Sequence, residues 1–284
     1  AVLATLGEDN ATLYAQCVKG VWTSSTEIDN FLGKVKCTTA NKNKTTVVGS
    51  YEPKCDGTKW VNYLRDARDK QLYKLAKIGD QWWMAQNLNY RYVGIGFESN
   101  YPLANHDDST SWYYEGQPSS TYGRLYTWSA AMDSAGKVDK KNMVATNVED
   151  RFGCGQFVKC VPNTPHRGIC PSGWHVPTVA EFETLVDAVG GLSKAGYYLK
   201  SDHDWVDGGI DSYGFSLFPT GYRGQTSSGE KEYYGLGIIT VLWSSEEIGT
   251  TSVNGLRILN EDKVEFADSY KKNQNALSLR CLRD

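Results

Sequence analysis

The sequence predicts an α+β fold in which two helices lie among short antiparallel strands. Three features of the chain carry this prediction: a capped amphipathic stretch in its middle, a strand-turn-strand pattern before it, and a run of short strand candidates near the C-terminus. Polar, glycine-bearing stretches separate these elements and are predicted to be long, irregular loops. We divide the chain into small β modules over residues 1–64 and a main domain over residues 65–284.

The N-terminal modules contain a weak repeat. A tryptophan stands five residues after a cysteine in both copies, at Trp22 after Cys17 and at Trp60 after Cys55. The second copy has an earlier cysteine, Cys37, which we expect to bond to Cys55. Modules of this size need such disulfides because they bury little apolar surface. The first copy lacks the earlier cysteine, so Cys17 is unpaired or bonded to something outside this chain.

The main domain begins with a predicted β-hairpin. Residues 71–78 alternate between the two faces of a strand, Gly79 and Asp80 are typical turn residues, and residues 81–88 are predicted to be the returning strand.

The second predicted helix is the best-defined element of the chain. Thr178 is a suitable N-cap, Glu181 occupies the capping-box position, and Gly190 with Gly191 ends the helix. Between them the apolar residues recur at steps of three and four and predict one buried stripe, made of Val179, Phe182, Leu185, Val186 and Val189. Residues 125–135, which a glycine follows, are predicted to form the first helix.

The C-terminal part of the chain has the clearest β pattern. Four strand candidates are separated by Glu, Gly, Asn and Asp residues, and they span residues 238–245, 252–260, 263–267 and 276–282. Residues 211–224 mix short apolar alternation with glycine turns and are not assigned to a strand.

Composition excludes some classes of function. The formal net charge is −3 and the pI is about 5.9, so the chain has no basic excess for binding nucleic acid. No apolar run approaches the roughly 18 residues of a membrane span. The seven cysteines do not show the spacing of a zinc site, which favours disulfides and an extracellular or cell-surface location. Cys154 and Cys160 are close enough in sequence to close one loop.

Four motifs of the main domain resemble the Fibrobacter succinogenes major paralogous domain family. They occur in the same order as in that family, over residues 69–90, 123–132, 170–178 and 278–284. That family is similar in turn to C-type-lectin-like and formylglycine-generating-enzyme-like domains. The resemblance therefore implies a C-type-lectin-like domain with two helices, and by analogy with that fold a disulfide between Cys170 and Cys281.

The same resemblance suggests two kinds of chemistry, each with an alternative. Formylglycine-generating oxidases need two nearby cysteines in the C-terminal part, where this chain has only Cys281, so an oxidase is the less favoured interpretation. C-type lectins bind sugar through calcium, for which Glu246 and Glu247 are the candidate ligands. The alternative is that these are two solvated glutamates at a strand end. We therefore expect no cofactor, with calcium as the exception to test.

Aromatic residues in polar stretches are the candidate ligand-binding residues. Flat rings there suit the CH groups of a sugar or a partner surface, and the candidates are Trp112, Tyr113, Tyr114, Tyr233 and Tyr234. The alternative is that these loops fold their own aromatics inward. Neighbouring acidic pairs such as Asp107 and Asp108 usually point apart, which argues against a glycosidase.

These observations together predict an extracellular, non-catalytic surface protein that binds carbohydrate or a surface protein. The alternative from another class is a structural subunit of an extracellular filament, in which Cys17 and the N-terminal modules join one chain to the next. We expect no nucleic-acid partner and no membrane span.

Overall fold

The computed structural model describes two kinds of segment. It gives the backbone of residues 2–6, 12–18 and 21–25, and the backbone with side chains of residues 36–47, 50–92, 111–116, 119, 121–133, 154, 159–160, 162, 164–226, 228–272 and 274–284. The chain divides into two compact units, Ala1–Leu75 and Ala76–Asp284. The domain boundary after residue 64 remains a prediction from the sequence.

The first unit is built from short antiparallel strands. Its strands are β1 (Val2–Leu6), β2 (Thr12–Val18), β3 (Val21–Ser25), β4 (Lys54–Cys55), β5 (Trp60–Val61), β6 (Tyr63–Arg65) and the first part of β7 (Leu72–Ile78). Strands β1, β2 and β3 form one sheet in that order, β4 pairs with β5, and β6 pairs with β7. A 3-10 turn covers Thr39–Asn41.

Asp56 forms the turn between β4 and β5. Its carboxylate accepts the backbone N–H groups of Lys59 and Thr58, both at 2.8 Å. These hydrogen bonds lower the pKa of Asp56 to about 2. A tight turn therefore lies between Cys55 and Trp60.

The described residues of the second unit form two sheets. Its strands are β8 (Gln81–Met84), β9 (Ser111–Trp112), β10 (Leu125–Tyr126), β11 (Trp174–His175), β12 (Thr220–Gln225), β13 (Lys231–Leu236), β14 (Ile239–Ile248), β15 (Ser252–Leu259), β16 (Val264–Lys271), β17 (Leu277–Ser278) and β18 (Leu282–Arg283). The larger sheet has the order β13-β12-β14-β17-β10-β9, with β15 pairing to β14 and β16 pairing to β15. The smaller sheet runs β11-β18-β8-β7.

Three helices are described in this unit: α1 (Trp128–Ala131), α2 (Val179–Ala188) and α3 (Ala195–Leu199). The capping box predicted for α2 is confirmed, because the Thr178 hydroxyl accepts the Glu181 N–H at 3.2 Å while the Glu181 carboxylate accepts the Thr178 N–H at 2.8 Å. Gly190 and Gly191 follow with positive φ angles of 105° and 84°, a conformation that glycine adopts at little cost. The helix therefore begins and ends where its local sequence predicts.

The core of the second unit lies between α2 and the sheets. The Trp83 and Phe182 rings stack with centroids 5.4 Å apart, which joins the hairpin to the helix. The buried cluster around them consists of Ala76, Ile78, Ala85, Leu185, Val186, Val189, Ala195, Leu199, Trp205, Phe215, Leu217, Leu242, Leu256, Ile258, Val264 and Leu282. Three of the five predicted stripe residues of α2 are buried within the helix span, and Val189 is buried just after it.

The predicted α+β, C-type-lectin-like fold class is wrong. The described residues form mainly curled β-sheets, with helices of four, ten and five residues. The first predicted helix shortens to a single turn because residues 125–126 pair as a strand, Thr127 caps the helix and Asp133 ends it with a φ angle of 54°. Residues 211–224 contribute to strand β12 instead of only turns, which adds a hairpin that the sequence analysis did not assign.

The described cysteines form three disulfides, and these join the pairs that were expected from the sequence. Cys37 bonds to Cys55, Cys154 to Cys160 and Cys170 to Cys281. Cys17 lies on β2, whose side chains are outside the described part of the chain. In the described segments the longest helix has ten residues, and none of the helices has the length and apolar character that crossing a membrane requires.

Candidate ligand-binding site

The candidate site is built on the hairpin of β12 and β13. In its antiparallel register Tyr222 lies opposite Tyr234, and Arg223 lies opposite Tyr233. Residues opposite each other share one face of a hairpin, while their neighbours share the other face. Arg223 and Tyr233 therefore lie on one side, and Tyr222 and Tyr234 lie on the other.

Two residues from an earlier segment complete the first of these sides. The guanidinium carbon of Arg223 lies 4.2 Å from the centroid of the Trp112 ring. The rings of Tyr114 and Tyr233 have centroids 5.0 Å apart and an interplanar angle of 51°. We call Trp112, Tyr114, Arg223 and Tyr233 the aromatic face. All four side chains are half-buried, so each is fixed by packing and still reaches solvent.

Local structure places Trp112 and Tyr114. Strand β9 pairs Trp112 with Leu125 of β10, and a 3-10 turn over Tyr114–Gly116 follows directly. Within that turn Glu115 has a φ angle of 46°, in the left-handed region. The Tyr114 ring lies against β12, where it approaches Gly221.

Gly221 permits this close approach. A Cβ atom at Gly221 would lie 2.6 Å from Cε2 of Tyr114 and 2.4 Å from the backbone oxygen of Tyr234. Its φ angle of 62° is also one that residues with a side chain rarely adopt. Only glycine lets the Tyr114 ring rest on the strand.

The phenol of Tyr114 stays in its neutral form. Burial raises the pKa of Tyr114, a backbone hydrogen bond with Leu236 opposes this, and the charge of Glu115 raises the pKa further. A neutral ring with a polar edge offers an apolar surface and a hydrogen-bonding group together. This combination suits a ligand that has both CH groups and hydroxyls.

The opposite side of the hairpin carries a second, separate pair of rings. Tyr222 and Tyr234 stack with centroids 5.4 Å apart, and the Tyr234 hydroxyl donates to Glu232 at 3.1 Å. Their rings cover Gly224, where a Cβ atom would lie 3.0 Å from Tyr234. Tyr222 also contacts Tyr270, whose pKa burial raises to about 12. These rings support the strand on which the aromatic face is built.

The five predicted aromatic residues therefore lie in three places. Trp112, Tyr114 and Tyr233 come together on the aromatic face, and Tyr234 lies on the opposite side of the hairpin. Tyr113 lies beneath the Arg124 guanidinium, 3.9 Å from its carbon.

Arg223 and Gly221 were not among the residues predicted from the sequence. The sequence pattern that could have located them is a hairpin pattern. It consists of the strand-like residues 220–225, the turn-like sequence Thr-Ser-Ser-Gly and then the two tyrosines of β13.

A buried polar network adjoins strand β12, whose Thr220 hydroxyl lies 3.0 Å from the Ser278 hydroxyl. Arg280 is fully buried; its Nε donates to Asn87 at 2.8 Å, and its other nitrogens donate to the backbone oxygens of Phe215 and Ser216. Asn87 in turn donates to the Ser278 hydroxyl at 3.2 Å. Burial lowers the pKa of Arg280 to about 9. The network joins two of the motifs on which the family resemblance rests, around Asn87 and around Arg280.

The second unit matches the model of a known family. The family model of the Fibrobacter succinogenes major domain matches residues 76–283, nearly the whole second unit. The chain belongs to the Fibrobacter succinogenes major domain family. No curated protein and no solved structure matched the chain in the corresponding searches. The resemblance to this family is confirmed, and the aromatic face lies within the matched domain.

In this Fibrobacter succinogenes major domain, the two glutamates considered as calcium ligands contact protein groups. Glu246 accepts the N–H of Val179 at 3.0 Å, and Glu247 accepts the N–H of Cys160 at 2.9 Å and pairs with the buried ammonium of Lys272. Among the residues that the structure describes, no group of three or more His, Cys, Asp or Glu side chains could hold a metal ion. Calcium binding by Glu246 and Glu247 stays a prediction.

Proposed function

We propose that this chain is an extracellular, non-catalytic protein that binds carbohydrate through the aromatic face. The observation that carries the proposal is the convergence of Trp112, Tyr114 and Tyr233 from two separate segments onto one half-exposed surface. Aromatic rings with polar edges bind pyranose rings through CH contacts, while nearby donors bind the hydroxyls.

The aromatic face is held in place before any ligand binds. The backbone of Arg223 exchanges two hydrogen bonds with Ala276, at 3.0 and 2.8 Å, and Tyr114 rests on Gly221. Little side-chain freedom remains to be lost on binding, and such preorganisation favours affinity.

The disulfides support the extracellular location that we propose, and the bonded state of Cys281 supports a non-catalytic role. Three disulfides are typical of an oxidising, extracellular environment. Cys281, the C-terminal cysteine that an oxidase of the formylglycine-generating type would need, is buried and bonded to Cys170.

A glycan array probed with the full chain tests this proposal, followed by titration of the best ligand. Trp112→Ala and Tyr233→Ala are each expected to weaken binding at least about tenfold, because central aromatic anchors carry most of the binding free energy. Tyr197→Ala is the matched control, since Tyr197 is an exposed tyrosine on α3. Absence of any glycan binding, or full binding by both aromatic variants, would refute the proposal.

The filament alternative rests on Cys17 and on the N-terminal strands β1 to β3, of which the structure describes the backbone. Non-reducing electrophoresis combined with sedimentation separates the two functions. Covalent multimers that Cys17→Ser abolishes would support a filament subunit, whereas a monomer that still binds glycan supports the binding protein.

A further inference from the structure

The exposed apolar side chains of the second unit are concentrated around helix α3. Five of the ten large hydrophobic residues that are exposed in the described part of the chain lie within residues 192–213, and they are Leu192, Tyr197, Val206, Ile210 and Tyr213. Single exposed apolar residues are common on protein surfaces, whereas a contiguous group of them marks an interaction surface. The ring contacts of the tyrosines show that part of this group is contiguous.

Three tyrosines form the centre of this surface. The ring of Tyr198 lies 5.5 Å from that of Tyr197, at an interplanar angle of 65°, and 6.3 Å from that of Tyr213, at 88°. Tyr198 packs against the core, whereas Tyr197 and Tyr213 are exposed. Rings that meet edge to face cover at most one face of each other, so the remaining faces stay available. We call these three residues the tyrosine cluster.

Hydrogen bonds hold the tyrosine cluster in position. The N–H of Ile210 donates to the backbone oxygen of Tyr197 at 3.0 Å, which ties the following loop to α3. Tyr213 lies in a turn that Asp211 closes, because the Asp211 carboxylate accepts the N–H and the hydroxyl of Ser216 at 2.6 and 2.5 Å. The rings are therefore placed before any ligand binds, which favours affinity.

Helix α3 also packs on the turn between β15 and β16. A Cβ atom at Gly196 would lie 2.5 Å from the backbone oxygen of Asp262. The buried ammonium of Lys200, just after the helix, donates to the backbone oxygen of Asn260 at 2.7 Å. Burial lowers the pKa of Lys200, and the charges of Asp262 and Asp207 oppose this shift. Both carboxylates therefore lie near the helix that carries two of the three tyrosines.

The surface around the tyrosine cluster is negatively charged. The exposed acidic and basic side chains of residues 192–213 and 260–263 are five carboxylates, two lysines and one histidine, namely Asp202, Asp204, Asp207, Glu261, Asp262, Lys194, Lys263 and His203. Lys263 lies 3.3 Å from Glu261 and 3.4 Å from Glu265, so carboxylates offset its charge. A cationic ligand group is therefore favoured here over an anionic one.

We propose that the tyrosine cluster is a second binding site, which takes the ammonium or guanidinium group of a basic segment of a protein partner. Cations bind over the faces of aromatic rings, and several rings around one position are the arrangement that recognises ammonium groups. The nearby carboxylates add charge attraction, and the exposed Leu192 and Ile210 suit the methylene stem of a lysine. The site shares no residue with the aromatic face and does not depend on carbohydrate binding.

Matched peptides test this site on the full chain. A short oligolysine peptide is compared by isothermal titration calorimetry with the same peptide after acetylation of every side chain, which removes the charge and keeps the stem. We expect the oligolysine to bind at least about tenfold more tightly, because ring contacts and carboxylates both favour the charged form. Absence of oligolysine binding, or equal affinity for the two peptides, would overturn the proposal.

Tyrosine variants separate the site from general attraction between opposite charges. Tyr197→Leu and Tyr213→Leu should each weaken oligolysine binding about two- to fivefold, because leucine keeps an apolar side chain and removes the ring. Tyr213→Phe is the matched control and should bind as the wild type does, since the ring remains. If both leucine variants bind oligolysine as tightly as the wild type, net charge alone attracts the peptide and the proposed site is wrong.

A carboxylate variant tests the contribution of charge. Asp262→Asn should weaken oligolysine binding by up to about fivefold, as expected for an exposed ion pair. Glu230→Gln is the control, because Glu230 is equally exposed but belongs to the turn between β12 and β13. Thermal unfolding verifies that each variant is folded. Equal losses for Asp262→Asn and Glu230→Gln would contradict binding at the tyrosine cluster.

Discussion

The ring of Tyr114 lies 5.0 Å from the ring of Tyr233, although the two residues belong to elements that are far apart in sequence. Gly221 lies beneath Tyr114 and faces the backbone oxygen of Tyr234. The contact therefore depends on a position that has no side chain. A residue that touches no ligand thus controls the shape of the proposed binding surface.

Gly221→Ala is predicted to destabilise the second unit and to displace Tyr114. The positive φ angle alone costs about 1–2 kcal/mol, and the clash with the Tyr234 backbone adds about 1–3 kcal/mol. Gly249→Ala is the control, because Gly249 has a similar φ angle of 67° and a Cβ atom there meets nothing within 4 Å. Urea unfolding measures both variants, and equal losses would contradict the proposed role of Gly221.

The pair of Lys272 and Glu247 is predicted to be a strong structural contact. Their side chains are 0% and 8% exposed. Burial lowers the pKa of Lys272, although the hydrogen bond and charge of Glu247 raise it in part. Lys272→Met should cost about 3–5 kcal/mol of unfolding free energy, since it leaves the Glu247 charge buried without this partner. Lys263→Met, at a half-exposed pair, should change stability by at most about 1 kcal/mol.

Adding Glu247→Gln to Lys272→Met tests the charge explanation. The double variant should recover part of the loss, because a neutral amide can still accept the Cys160 N–H. Strictly additive losses would show that the pair is not coupled.

His175 is predicted to make stability depend on pH. Its ring nitrogens lie 2.7 Å from Asp284 and 2.9 Å from Glu181. Burial alone would lower the pKa of His175, but its hydrogen bonds to Glu181 and Asp284 and the charges of those two groups raise it above 6.5. Because the folded pKa is the higher one, the stabilisation is complete below pH 6.5 and is lost as pH rises through the folded value.

The pKa of Glu181 shifts in the other direction. Burial would raise it, but the hydrogen bonds from His175 and Thr178 lower it below 4.5. Its stabilisation is therefore complete above pH 4.5 and is lost as pH falls through the lowered value. The cluster should stabilise the fold most between about pH 4.5 and 6.5.

His175→Gln measures this dependence. The variant should lose about 1.5–3 kcal/mol near pH 6 and clearly less above the folded pKa of His175. His203→Gln is the control, because His203 is exposed and its partner Asp202 is as well. A difference from the wild type that stays constant with pH would contradict the assignment.

The disulfides are predicted to contribute according to the loop that each one closes. Cys170 and Cys281 are 111 residues apart, whereas Cys154 and Cys160 are 6 apart. In the chain-entropy model, replacing both cysteines by alanine costs about 4–5 kcal/mol for the long loop and about 2 kcal/mol for the short one. Denaturant unfolding that ranks the two pairs the other way would refute this order.

Local signals predicted the best-defined elements. The capping pair Thr178 and Glu181 and the glycines after α2 act within a few residues, so their effect can be seen in sequence alone. The fold class failed for a non-local reason, because strands such as β14 and β17 pair across long distances in sequence. Helix α1 was predicted to be longer than a single turn, because the local sequence does not show that Asp133 takes a positive φ angle and ends it.

The site was predicted only in part for the same reason. Glycines at 221 and 224 weaken a strand pattern, and the rings of Tyr114 and Tyr234 that cover them belong to other elements. Trp112 and Tyr233 were recognisable as aromatics in polar surroundings, but nothing near them in sequence places Arg223 on the Trp112 ring. The separation of Tyr234 from Tyr233 follows from strand alternation once β13 is known.

Oxidative footprinting of the aromatic side chains, with and without bound glycan, tests the central claim most directly. Binding should protect Trp112, Tyr114 and Tyr233 and leave the exposed Tyr197 and Tyr213 as reactive as before. Protection of Tyr197 and Tyr213 with the aromatic face unchanged would place the ligand elsewhere and contradict the account.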